Sequence, residues 1–142
     1  QKKVVTVAID SMTFRQPIRI GDLIILNAEV TYQTIGKSLE KMQRTRDVKP
    51  ADIDWFLPHM SSEYFRKPMD ACMNTVGFPI AQEKWFTNLQ TKGNTGSASI
   101  YIMIDELLKS GRLKHGERLL CFIPESGRFT GSLMHLTAVD HA

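Results

Sequence analysis

The sequence predicts a layered α/β fold with a mixed sheet and one buried helix, preceded by an extra N-terminal β segment. Three observations predict it. After residue 31 the expected elements run helix, strand, helix, strand, helix, strand, strand, the alternation of a layered α/β domain. Residues 97–110 make a helical window that is apolar almost all round, the mark of a helix covered on every side. Residues 1–30 carry runs of β-branched and aliphatic residues with no helical period.

Residues 4–10, VVTVAID, read as a strand, and 14–22, FRQPIRIGD, as a break marked by Pro17 and Gly21. Residues 23–30, LIILNAEV, read as a second strand. The period then changes. From Thr31 to Arg46 the apolar positions Ile35, Leu39 and Met42 are spaced four and three, with Glu40, Lys41, Arg44 and Arg46 on the other face. This is an amphipathic helix, in which Gly36 costs about 1 kcal/mol against Ala. Pro50 ends the connection that follows. Asp52 to Leu57, DIDWFL, is a strand stopped by Pro58 and His59. Ser61 or Ser62 caps the next helix, with Glu63 in its first turn, and Gly77 stops it after Val76. Residues 84–89 form a short strand. Thr95 or Ser97 caps a helix that reaches Ser110, with Gly111 as its stop. So apolar a helix in so short a chain is expected between two layers. Residues 118–124, RLLCFIP, and 129–139, FTGSLMHLTAV, are strands. The turn Glu125-Ser126-Gly127-Arg128 makes them an antiparallel pair.

A chain of 142 residues holds one ordinary domain with a core. Its formal charge of +3 suits an acidic partner or anionic ligand, but no Lys/Arg run tracks nucleic acid, so none is expected as a partner. No apolar run reaches the roughly 20 residues that span a bilayer, so no membrane is expected either. No signal peptide is visible, which makes the cytoplasm the default compartment. Gln1 opens the chain without Met, which fits a fragment or a processed product. Cys72 and Cys121 do not make a disulfide framework, and both sit in apolar segments as small hydrophobes. His59, His115, His135 and His141 have no ligand spacing, so no metal is expected.

The chemistry concentrates in Lys92-Gly93-Asn94-Thr95-Gly96-Ser97-Ala98-Ser99. A phosphate loop needs G-x-x-x-x-G-K-[ST] before the helix, and here the Lys precedes the glycines. A dinucleotide fingerprint needs three glycines, and only Gly93 and Gly96 are present. The plain reading is a helix cap with glycines easing a tight turn. His59 supplies a second reading. It ends a strand at a helix start, where α/β folds place sites, although a lone His there is commonly structural. A neutral imidazole donates one hydrogen bond and an Asn amide donates two. If His59 and Asn94 each leave a strand of one sheet, they form an oxyanion site for a thioester carbonyl or an enolate.

These residues carry a resemblance. From about Thr31 to Val139 the chain resembles the C-terminal half of β-ketoacyl-acyl-carrier-protein synthase III, a condensing enzyme of the thiolase fold. The matching words are ADIDWFLPH, NLQTKGNTGSASI and LLKSGRLKHGERLLCFIPESG, in the family's order. The resemblance implies a thiolase-like half domain over residues 31–142. It implies that His59 and Asn94 are catalytic, bonding a malonyl thioester carbonyl and the enolate left by decarboxylation. Ser62, Gly93, Glu125 and Arg128 stand at its implied substrate-binding positions. Two words depart from the family: PHQAN reads PHMSS, placing Ser62 at an Asn position, and a GFGAG-like word reads IPESG. The implied substrates are acyl-CoA or acyl-carrier-protein thioesters, with no further cofactor. The implied partner is a thiolase-like N-terminal half, or a second copy of the chain. The family's nucleophilic Cys belongs to that other half, and neither Cys72 nor Cys121 corresponds to it.

Residues 1–30, in a stretch that continues to about residue 40, resemble something else, the middle of a hotdog-fold acyl-CoA thioesterase, through T-x-x-x-D-x-x-x-F-x-x-P-x-x-x-G-D-L. Asp10 and Asp22 occupy motif positions there, and also read plainly as a strand-end acid and a turn acid. Three functions stay open: a condensing-enzyme module incomplete without its Cys half, a hotdog thioesterase, and a non-catalytic acyl-thioester or carrier-protein binding domain. A half fold on its own would expose one sheet face and helix 97–110, which predicts oligomerisation or poor solubility.

Overall fold

A computed structural model describes residues 30–125 and 130–140, and the side chains of residues 34–124 and 131–140. The two strands expected before residue 30, together with Asp10 and Asp22, lie outside the described residues. Val30, assigned from sequence to the second of those strands, opens helix α1, Val30–Arg46.

The sheet has three described strands in the order β1-β2-β3. β1 is Trp55–Pro58, β2 Arg118–Glu125 and β3 Thr130–Thr137. β1 and β2 run parallel, Trp55 opposite Leu119. β2 and β3 run antiparallel, Arg118 opposite Thr137 and Glu125 opposite Thr130. The sheet is therefore mixed, and the last two strands pair as their short connection requires.

Alternation along β2 divides the core. Leu120 and Phe122 point to one face, where they join Ile35, Leu39 and Met42 of α1 and Met69 and Met73 of α2, Arg66–Thr75. Leu119 and Cys121 point to the other face and pack with Leu57 and with Ile100, Met103 and Leu107 of α4, Ser99–Lys109. Helices thus cover both faces of the sheet. Phe56, Phe78 and Phe122 are fully enclosed, each such ring stabilising the fold by roughly 1.5–3 kcal/mol. Gly36 has a packing reason: a Cβ there would stand 3.0 Å from Cys72 Sγ, so the glycine lets α1 and α2 approach.

Four expectations need correction. First, the strand at 84–89 does not form. Residues Gln82–Lys84 make a 3-10 turn, and one isolated parallel bridge joins Phe56 to Trp85. Thr87 Oγ1 then accepts from Leu89 N–H at 3.3 Å, and the short helix α3, Leu89–Lys92, begins. Local side-chain bonding and turn formation displace the ladder. Second, α4 is not buried all round. Ser99, Ile100, Met103 and Leu107 are buried, but Tyr101 is 70% and Leu108 57% exposed, because the described residues cover one side only. Third, neither Thr95 nor Ser97 caps α4 through its side chain; a 3-10 turn, Gly96–Ala98, leads in, and Ala98 holds the cap position. Fourth, β1 starts at Trp55, since Pro50–Asp52 form a 3-10 turn, and Pro58 is its last residue rather than its stop. Ser62 does cap as expected: its hydroxyl accepts from Tyr64 N–H at 3.2 Å at the start of the turn Glu63–Phe65.

Candidate active site

His59 follows the last residue of β1. Its backbone N–H donates to Phe122 O at 2.9 Å, so the parallel ladder continues through it and fixes where the imidazole leaves the sheet. Met60 beside it is buried and anchors the turn. The ring is half-buried, and that burial pushes its pKa below the ordinary 6.5. At neutral pH it is an uncharged imidazole with one N–H to donate.

Asn94 does not leave a strand, as the sequence suggested. It stands on the loop between α3 and the 3-10 turn Gly96–Ala98. The segment that leads towards it is nonetheless anchored on the sheet. Phe86 N–H donates to Phe56 O at 2.8 Å, holding residues 85–86 parallel beside β1. Chain leaving that segment, chain leaving β1 at His59, and the end of β2 at Glu125 all emerge at one edge, the carboxyl edge of the parallel strands. Open α/β sheets bind ligands at that edge.

The loop is closely tied. Gly93 ends α3 with φ 71°, a conformation that favours glycine; a Cβ there would meet nothing within 4 Å, so the demand is conformational and not steric. Asn94 Oδ1 accepts from Gly96 N–H at 2.9 Å. With its carbonyl oxygen so engaged, the Nδ2 amide is the end left for a ligand. Thr95 N–H donates to Ser99 Oγ at 3.2 Å, and the Thr95 and Ser99 hydroxyls share a 2.8 Å bond. On the other side Asn88 Nδ2 donates to Glu106 Oε2 at 2.5 Å, and Lys92 Nζ lies 3.3 Å from Glu106 Oε1. Glu106 thereby holds residues at both ends of α3. The Asn88 bond, then Lys92, lower its pKa below the usual carboxylate range.

Of the six residues expected at the site, Gly93 and Asn94 are consecutive on one loop and His59 leaves the carboxyl end of β1; no hydrogen bond joins His59 to Asn94. Ser62 is engaged in capping, three residues past His59. Glu125 ends β2, with its side chain outside the described residues, and Arg128 lies wholly outside them. Sequence reading missed Asn88, Ser99 and Glu106. Ser99 and Glu106 did leave a signal: seven residues apart, they share one face of α4. The cysteines are poor nucleophiles. Burial pushes the Cys121 thiol up to about 12, and burial also raises half-buried Cys72.

Comparison with known proteins assigns the fold. The structure of 3-oxoacyl-(acyl carrier protein) synthase III, FabH, from Pseudomonas aeruginosa superposes with a TM-score of 0.67 at 14% identity, covering 89% of this chain and 39% of that one. That of the C143A variant of Xanthomonas campestris OleA superposes at 0.68 with 22% identity, covering 76% and 30%. The fold is therefore part of a thiolase-like α/β architecture.

The family follows from sequence. The model described as 3-oxoacyl-[acyl-carrier-protein (ACP)] synthase III C terminal matches residues 43–134, and the chain belongs to that family. Beta-ketoacyl-[acyl-carrier-protein] synthase III 2 of Bacillus anthracis is 29% identical over 124 residues, 84% of this chain and 35% of that protein. The Deinococcus radiodurans protein of the same name is 38% identical over 88 residues, 62% and 25%. The chain spans about a third of the length of the curated relatives it matches. The hotdog resemblance of residues 1–30 finds no support in these relatives. The match to the Halalkalibacterium halodurans synthase III 2 covers 89% of the chain, and so runs into that segment.

Proposed function

We propose that this domain supplies the oxyanion donors of a decarboxylative condensing enzyme acting on malonyl thioesters. One observation carries the reading. His59, at the carboxyl end of β1, and Asn94, on the loop that follows the segment held beside β1, both fall within the matched residues 43–134, each with an N–H available to an oxygen. In the proposed reaction the bond from the malonyl carboxylate to the α-carbon breaks. CO2 leaves, and the electron pair moves into the thioester as an enolate. His59 and the Asn94 amide donate to the enolate oxygen where charge develops. The α-carbon then attacks an acyl group held on a cysteine, and that cysteine leaves as thiolate. The cysteine is proposed to reside on a thiolase-like N-terminal half, with a second copy of this chain as the other candidate partner. Ser62, Gly93, Glu125 and Arg128 are proposed to contact the CoA or carrier-protein thioester, and no further cofactor takes part. The cytoplasm is the proposed compartment, in keeping with two free cysteines.

The test is mass spectrometry of the full chain incubated with malonyl-CoA and acyl-CoA, alongside His59→Ala and Asn94→Ala. Decarboxylation to acetyl-CoA is expected to fall about 10²–10³-fold in each variant, the loss that follows removal of one oxyanion donor. Decarboxylation indifferent to both changes overturns the reading. Acyl-CoA hydrolysis indifferent to both favours the hotdog thioesterase. Thioester binding with no turnover favours a non-catalytic binding domain.

A further inference from the structure

We propose that Glu106 is a positioning residue for Asn94: by tethering Asn88 and Lys92, one at each end of α3, its carboxylate sets the direction of the Gly93–Asn94 turn. The inference rests on the proposed role of Asn94 and concerns how that residue is held.

The geometry is specific. α3 has four residues, too few to be rigid unaided. Asn88 occupies its N-cap position without making a side-chain cap bond; its amide instead crosses to Glu106 at 2.5 Å. Lys92, its last residue, reaches the other oxygen of the same carboxylate at 3.3 Å. One side chain on α4 therefore grips both ends of the element that immediately precedes Gly93. The Glu106 side chain is 30% exposed, which leaves these bonds partly shielded from water. The far side of the turn is held by the same helix, through Ser99 to Thr95. α4 thus supports the loop from both directions, and Glu106 is its charged support. Lys92 faces the carboxylate from α3, and Asp105 adjoins it on α4 and opposes its ionisation. Protonating Glu106 weakens its hold on both α3 groups.

The experiment uses the full 15N-labelled chain without substrate, following the side-chain amide signals of Asn88 and Asn94 by NMR as pH is lowered. Both signals are expected to move together, with a midpoint below the ordinary value of 4.5. Glu106→Gln keeps an acceptor for Asn88 and the shape of the side chain, so its signals are expected to stay near the wild-type positions and lose the pH response. In Glu106→Ala, exchange of the Gly93 and Thr95 backbone amides is expected to rise about threefold to tenfold, the factor set by one net hydrogen bond. Asp105→Asn, which breaks the pair with Lys109 and removes the charge opposing Glu106, is the control: at neutral pH it is expected to leave the Asn94 signal unmoved, and to lower the midpoint of the pH response further. An Asn94 signal indifferent to pH and to both Glu106 variants overturns the proposal, as does an equal response to Asp105→Asn. If Glu106→Ala fails to fold, the pH response of the wild type against Glu106→Gln decides alone. Failure of the oxyanion reading is separate: it is decided by malonyl turnover in Asn94→Ala, whatever holds Asn94 in place.

Discussion

Gly131 sits on β3 opposite Pro124, where α1 crosses the sheet. A Cβ added there would lie 2.6 Å from Thr34 Cγ2 and 2.9 Å from Phe122 Cε2. Carbon atoms in contact prefer about 3.5–4.0 Å, so the helix and the strand must separate by roughly 1 Å. Neither neighbour yields easily: Thr34 is β-branched on a helix, and the Phe122 ring is fully enclosed. Overpacking of this kind costs about 1–3 kcal/mol. Against it, Gly→Ala restricts the unfolded chain and returns about 0.4–1 kcal/mol. The steric term wins, and Gly131→Ala is expected to destabilise by about 1–2 kcal/mol. With a urea m-value of about 2 kcal/mol/M, the midpoint falls by about 0.5–1 M at unchanged m. Thr34→Ser removes the nearer obstructing methyl and keeps the hydroxyl, so the double variant is expected to recover about half of the loss. A midpoint within about 0.2 M of wild type for Gly131→Ala, or no recovery in the double variant, refutes the reasoning.

Three further outcomes follow from other parts of the molecule. Glu117 accepts from Lys114 N–H and from Trp55 Nε1, bonds that hold its pKa below the ordinary 4.5. Its contribution to folding is present above that value and lost as pH falls through the lowered one; thermal melts between about pH 3 and 7 should show a flatter acid limb for Glu117→Gln. Cys121, with its thiol pushed up to about 12 and fully buried, is expected to resist iodoacetamide in the native state at about pH 8 and to react on addition of urea. Rapid native labelling at Cys121 counts against the packing described. Leu108 is exposed on α4, so Leu108→Lys should change stability by no more than about 0.5 kcal/mol while reducing self-association in size-exclusion chromatography. A wild-type chain already monomeric at high concentration removes the reason for that second effect.

Tyr101 and Leu108 are apolar surface on a helix whose opposite face is packed against β1 and β2. This exposed apolar side is the surface on which the Leu108→Lys prediction rests.

Much of this was legible in the sequence, for a local reason. The spacing of Ile35, Leu39 and Met42 placed α1 and its buried face, and the runs at 118–124 and 129–139 placed β2 and β3 with their antiparallel turn. Each of those signals is complete within one window of the chain, because side-chain periodicity follows from backbone geometry alone. The words around His59 and Asn94 were equally local. What escaped was the choice of distant partners. Residues 84–89 have the composition of a strand, yet a turn, a hydroxyl bond from Thr87 and the bridge at Trp85 left them a strap along β1. Ser62 occupies an expected ligand position and spends its hydroxyl on a cap. Asn88 meets Glu106 across 18 residues and Trp55 meets Glu117 across 62, pairings that no window contains. Which faces are apolar and where the chain turns could be read from local windows alone. Which polar groups close on one another is settled by packing, because hydrogen bonds between distant side chains form only after their carriers come within about 3 Å.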